Sequence, residues 1–145
     1  ARDILKLEYE LEKTKQTITG ILNDTKLSFL GYDYPLLDPP EEISGVYIAD
    51  ITDIACMKID AISSRGAKRD FVDVYFIAKE ITPLRKILLL FQKKYASLNY
   101  NMMHIKKSLI YFDDAESDPM PKMLKQANWE KIKNFFRDEV KKLMA

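Results

Sequence analysis

The rhythm of apolar and polar positions changes near residue 50. Before it, β-branched and aromatic runs are short and broken by turn residues. After it, apolar residues recur at spacings of three and four, the period of a helix with one buried face. "KQTITGILND" and "TKLSFLGYDY" read as two strands joined at Asn23-Asp24, a hairpin signal. The approach, "DILKLEYELEK" (3–13), fits an amphipathic helix or a strand equally. "PLLDPPEEISG" (35–45) is a proline-rich loop, and "VYIAD" (46–50) reads as a short buried strand. Helices follow. One runs from 51 to about Ser64, capped by Asp50 with Asp53 as a shortened capping box, and stops at Arg65-Gly66. A second runs from Asp70 to Ile81, and a third opens at Pro83. A fourth covers "NMMHIKKSLIYF" from Asn101. After an acidic loop, 113–122, a last helix aligns Trp129, Ile132, Phe135, Phe136, Val140 and Leu143. The expected class is α+β: a small antiparallel or mixed sheet in the first third, then a helical bundle. The expected division is 1–50 and 51–145, packed as one unit.

Three charges break this pattern. Lys58 lies in an apolar stripe with Ile54, Ile62 and Arg65. Asp70 and Asp73 open the almost wholly apolar "FVDVYFIA". A mid-stripe lysine must snorkel to solvent or be paired, because an isolated buried ammonium is too costly. A structural account makes Asp70 an N-cap, Asp73 its neighbour near the positive end of the helix dipole, and Lys58 the salt-bridge partner of one of them. A functional account turns Lys58, Arg65, Lys68 and Arg69 toward a bound polyphosphate, with an aspartate orienting the lysine or assisting a nucleophile. Both require Lys58 close to Asp70 or Asp73.

Composition narrows the field little. The 145 residues carry 23 Lys and Arg against 22 Asp and Glu, a net charge of +1, so no global field gathers nucleic acid. The single cysteine, Cys56, reads as a buried thiol in a reducing, cytoplasmic setting. No apolar run is long enough to span a bilayer. His104, the only histidine, reads as a surface or packing residue rather than a metal ligand. The loop with Asp113, Asp114, Glu116 and Asp118 lacks the spacing and glycine of an EF-hand and reads as a capping loop. Lys93, Lys94, Lys106 and Lys107 read as solvated faces; gathered with Tyr95 and Tyr100 they would grip an RNA backbone.

"DIACMKIDAISSRGAKRDFVDVYFI" resembles the signature of the AbiEii/AbiGii toxin family of polymerase-β-like nucleotidyltransferases. The likeness rests on Asp53-Ile54, Met57-Lys58, Arg65-Gly66, Lys68, Asp70-Phe71 and Asp73. It extends to "LSFLGYDYPLL", "KSLIYFDDAESDPMPKML" and "WEKIKNFF". The resemblance implies transfer of a nucleoside monophosphate from an NTP to an RNA acceptor such as tRNA, with magnesium, and a cognate antitoxin. It implies that Lys58 contacts the triphosphate, and that an aspartate serves at the rim of the site, Asp70 or else Asp73. Arg65, Lys68 and Arg69 are the further phosphate-binding candidates.

The family's Gly-Ser turn and the Asp-x-Asp pair that holds magnesium do not occur in this chain. No metal ligand is therefore assigned. The expectation is that the motif lies upstream, that this chain is the C-terminal part of a partial nucleotidyltransferase fold, and that alone it is inactive. Uncovered sheet edge in the first third is then expected to pair in a homodimer through residues such as Ile18, Ile21, Leu27, Phe29 and Tyr47. The alternative is a non-catalytic interaction module that binds an antitoxin or RNA.

Overall fold

The computed structural model describes residues 9–13, as backbone, and 17–144. Two compact units divide between residues 34 and 35, earlier than the 50/51 division expected from the change of rhythm.

The first unit contains a three-stranded antiparallel meander, β1 (Tyr9–Lys13), β2 (Thr17–Leu22) and β3 (Thr25–Leu30), in that spatial order. Residues 9–13 of the ambiguous approach segment are thus strand, and 3–8 lie outside the described residues. Register slips between Glu10 and Glu12, an irregularity of the β-bulge type. The β2–β3 hairpin forms where expected. Asn23 and Asp24 have φ of 48° and 57°, as a two-residue type I′ turn requires. Across the hairpin Thr19 and Ser28 face each other, with their hydroxyls 3.0 Å apart.

The second unit starts with a ribbon, β4 (Glu41–Ile43) and β5 (Val46–Ile48), turned at Ser44-Gly45 with φ of 51° and 79°. All six strand residues are exposed, so "VYI" is not the buried strand its apolar character suggests. Three residues in a two-stranded ribbon have no second layer to bury them.

Among the described residues six helices follow: α1 (Ile51–Arg65), α2 (Lys68–Glu80), α3 (Leu84–Lys94), α4 (Met102–Ser108), α5 (Asp113–Glu116) and α6 (Trp129–Met144). Asp50 caps α1 as expected, accepting from the Thr52 N–H at 2.8 Å. Hydrogen bonds from the Thr52 side chain and backbone hold the Asp50 carboxyl below its ordinary range. Gly66 ends α1 in the left-handed region (φ 59°), its N–H bonded to Ala61 and Ile62 carbonyls. The α2 helix begins two residues before Asp70, and the cap expected of Asp70 comes from elsewhere: Asp118 accepts the Lys68 N–H at 3.0 Å. The fourth helix stops at Ser108 rather than at 112, and Asn101 caps its start. Within the acidic loop, 113–116 form a short helix.

Buried faces of α1, α2, α3, α4 and α6 meet in one core built on Ile59, Phe71, Ile87, Phe91, Leu109 and Phe136. On α6, Ile132, Phe136 and Val140 are buried, while Trp129, Phe135 and Leu143 pack half-buried beside them. The Phe71 ring lies 5.3 Å from Phe136 and 5.9 Å from Trp129, edge to face, which ties α2 to α6.

Candidate active-site cluster at the α1–α2 corner

Helical spacing puts Lys58 two turns before the end of α1, and the tight Gly66 turn folds α2 back alongside it. That brings the start of α2 against the lysine. Lys58 Nζ lies 3.0 Å from Asp70 Oδ1 and 2.6 Å from Asp73 Oδ2. Arg65 takes the same Asp70 with two nitrogens: Nε donates to Oδ2 at 3.0 Å and Nη2 to Oδ1 at 3.2 Å. Asp70 is therefore a buried carboxylate clasped by two cations, neither an N-cap nor a solvated rim residue.

Exposure sorts the four groups. The Asp70 side chain is fully buried, Lys58 retains 27% of its surface, Asp73 47% and Arg65 52%. Asp70 is the fixed centre. Asp73 is the solvent-facing partner that an incoming anion can replace at little cost, because an exposed ion pair is worth roughly 0–1 kcal/mol. Burial pulls the Lys58 ammonium toward deprotonation, but the hydrogen bonds it donates to Asp73 and Asp70, with their charges, outweigh it and leave its pKa raised above 10.5. At neutral pH Lys58 is a cation. It suits contact with phosphate oxygens and does not suit proton abstraction.

The other two basic candidates do not join the cluster. Lys68 is buried and turned the other way, bonded to the backbone carbonyls of Asp118 and Glu116, with its ammonium 5.2 Å from the centre of the Trp129 ring. It holds the 116–118 segment onto α2. Arg69 is exposed beside Asp118, Pro119, Met120 and Pro121.

A second buried ion pair lies where the sequence reading placed a capping box and a solvated lysine. Asp53 and Lys94 are both fully buried, with Nζ 2.6 Å from Oδ1. Lys94 also donates to the Pro35 carbonyl at 2.7 Å, and Asp53 accepts the N–H of Leu37 (3.0 Å) and Asp38 (3.3 Å). This pair pins the proline-rich loop to α1 and α3. The signal was in the spacing: Leu84, Ile87, Phe91 and Lys94 form one stripe, the pattern that marked Lys58. Lys106 is likewise engaged, donating to the Leu143 carbonyl at 2.8 Å. Asp60 receives the Tyr100 hydroxyl, joining α1 to the segment before α4. His104 is exposed on α4.

Magnesium, which the resemblance implies, does not fit the residues present. Asp70 and Asp73 already hold cations, and among the described residues no three His, Cys, Asp or Glu side chains gather to bind an ion. Among the described residues no helix is long and apolar enough to cross a membrane.

The family model described as "Nucleotidyl transferase AbiEii toxin, Type IV TA system" matches residues 24–143. An uncharacterised protein of Aquifex aeolicus (strain VF5) is 38% identical over 137 residues, covering 92% of this chain and 65% of that protein's length. No solved structure matches. The family match runs from the β2–β3 turn nearly to the end of α6 and takes in the whole Lys58–Asp70 corner, so the chain belongs to the AbiEii family of nucleotidyl transferase toxins of type IV toxin–antitoxin systems.

Proposed function

We propose that these residues form the C-terminal part of a nucleotidyltransferase toxin that moves a nucleoside monophosphate from an NTP to an RNA acceptor of the tRNA kind, acting in the cytoplasm and restrained by an antitoxin. The observation that carries this reading is the Lys58 ammonium, held charged by Asp70 and Asp73 while still reachable from solvent, in a chain of this family. In the proposal Lys58 meets the triphosphate, and its bond to Asp73 opens as phosphate oxygens take that place. Asp70 positions both Lys58 and Arg65 and keeps them from spreading into solvent. Arg65 presents the part of its guanidinium not engaged by Asp70. Such preorganised cations act where charge develops in the transition state. The carboxylates that bind magnesium are proposed to come from outside the described residues.

The test is transfer of label from α-labelled NTPs to bulk tRNA in magnesium buffer, comparing residues 1–145 with the product of the whole gene. Label is expected from the whole product and not from residues 1–145. If the whole product labels no RNA and yet binds it or an antitoxin, these residues form a non-catalytic interaction module. Robust labelling by residues 1–145 alone would show that they supply the metal ligands themselves.

A further inference from the structure

An apolar hollow of about 510 Å3 adjoins the Lys58 cluster. Its walls are Ile51 and Ile54 on α1, Val72, Phe76 and Ile77 on α2, and a strap of chain, 121–125, from the connection between α5 and α6. Asp73 belongs to the same wall, and its carboxylate holds the Lys58 ammonium at 2.6 Å. Ile54 stands one turn before Lys58 on the same face of α1, about 6 Å along the helix. The hollow and the lysine therefore meet at Asp73. The volume lies within the range that holds small ligands, roughly 300–1,000 Å3.

The strap is tied to α2 on both sides. Asp118 accepts the Lys68 N–H at 3.0 Å, and Lys125 bonds Glu80 at 2.5 Å with its ammonium 5.8 Å from the centre of the Phe76 ring. Between these ties its hydrogen-bonding capacity is unspent. The backbone N–H and C=O groups of 122–125 make no hydrogen bond with any described residue.

Three requirements then fall on one occupant. The helix walls are hydrocarbon with one aromatic ring, Phe76, and favour a flat apolar face. The strap offers donors and acceptors along its backbone. An alkyl chain or a plain hydrocarbon ring would take those groups from water and give nothing in return, whereas a heterocycle with polar edge groups pairs with them. The junction with Lys58 calls for a ligand whose other end is a polyanion. A nucleoside triphosphate meets all three.

We propose that this hollow is the nucleobase pocket of the transferase, with the base against Phe76, its polar edge on the backbone of 122–125, and its phosphates directed past Asp73 to Lys58. The assignment rests on the reading of Lys58 as the triphosphate contact. It makes the strap and the α1–α2 wall the part of the molecule that chooses among NTPs.

Binding is measurable without any transfer step. The chain, labelled at its isoleucine methyls for NMR, is titrated with the four ribonucleosides, with inorganic triphosphate, and with indole, a ring of purine size that has no acceptor nitrogen on its edge. At least one nucleoside is expected to shift the Ile54 and Ile77 signals saturably, while Ile132, buried in the core, stays still. Triphosphate should not displace that nucleoside, and indole should bind more weakly than it. Phe76→Leu is expected to weaken nucleoside binding about 5- to 10-fold, and Phe135→Leu, half-buried on α6 outside the hollow, to leave it unchanged. No shift with any nucleoside, indole as tight as the best nucleoside, or equal losses from the two phenylalanine variants would each overturn the assignment. Nucleoside binding without RNA labelling by the whole gene product would count against the transferase reading and leave the pocket standing. Labelling by a whole product whose Ile54 and Ile77 signals ignore every NTP would do the reverse.

Discussion

The Asp53–Lys94 pair offers a quantitative test of the packing. Lys94→Met keeps the aliphatic stem and removes an ammonium that contacts Asp53 at 2.6 Å and the Pro35 carbonyl at 2.7 Å. Asp53 is left as a buried carboxylate that still accepts the N–H groups of Leu37 and Asp38. Removing one partner of a buried pair costs about 3–5 kcal/mol, and these two bonds place Lys94→Met near the low end, about 3 kcal/mol. Asp53→Asn is worse. It leaves a buried ammonium without its carboxylate and can turn an amide N–H2 toward it, so about 4–5 kcal/mol is expected. The double variant buries no charge and should lose only about 1–2 kcal/mol, a coupling of several kcal/mol. For a chain of this size Lys94→Met corresponds to a fall in Tm of about 10 °C. Urea titrations of the four proteins, followed by circular dichroism, read the cycle directly, and proteolysis should find residues 35–40 cut faster in the single variants. Two single variants that each cost less than about 1 kcal/mol and simply add would refute the claim that the pair is buried and coupled.

Other consequences concern single residues and association. Burial first, then the Asp53 charge, push the Cys56 thiol up to about 12, against partial relief from Lys94. The native thiol should resist alkylation at pH 8 and react fully in denaturant. The sign of the pH effect follows: above pH 9.0 the unfolded thiol ionises while the folded one keeps its proton, so stability should fall as pH rises, and Cys56→Ala should flatten that slope in urea titrations. Gly66→Ala should cost about 1–2 kcal/mol, since φ is 59° and a Cβ there would meet Asp114 at 3.4 Å; Gly45→Ala, with open space around it, should cost no more than the backbone strain alone. Two sheets present exposed apolar residues, Phe29 and Leu30 on the edge strand β3, and Val46, Tyr47 and Ile48 on β5. Light scattering at micromolar concentration is expected to show a homodimer, which Phe29→Glu or Tyr47→Glu should weaken; a monomer throughout would remove β-strand association from the account.

Local chemistry made much of the molecule legible. Asn23-Asp24, Asp50, Gly66 and Asn101 are turn or cap residues whose action lies within a few positions of sequence, and each does what its type suggests. The proximity of Lys58 to Asp70 and Asp73 was equally readable, because a charge on an apolar stripe next to a tight turn has few places to find a counter-charge. Partners distant in sequence were not readable. Nothing near Lys68 indicates that its N–H and ammonium will be taken by 116–118, and that capture is why Asp70 is released from capping to hold Lys58 and Arg65. Lys94 was misread for a different reason. Its neighbour Lys93 is exposed, and a pair of lysines suggests solvent, although the stripe from Leu84 already put Lys94 on the buried face and Lys93 off it. The exposed β5 misled in the opposite sense, since an apolar triplet does not say whether a second layer exists to cover it.

The most direct test is to compare transfer with stability for Lys58→Met, Asp73→Asn and Asp70→Asn in the whole gene product. Lys58→Met removes a partly exposed cation, so its fold should survive with only a small fall in Tm, while label transfer to RNA should drop by about 10²–10³-fold. Asp73→Asn should keep the fold and most of the transfer, because in the proposed complex phosphate takes the place of that partner. Asp70→Asn should lose transfer and stability together, since it strips a buried counter-charge from two cations. Transfer by Lys58→Met at the rate of the native protein would contradict the account, and the cluster would then be a salt bridge that only holds α1 against α2.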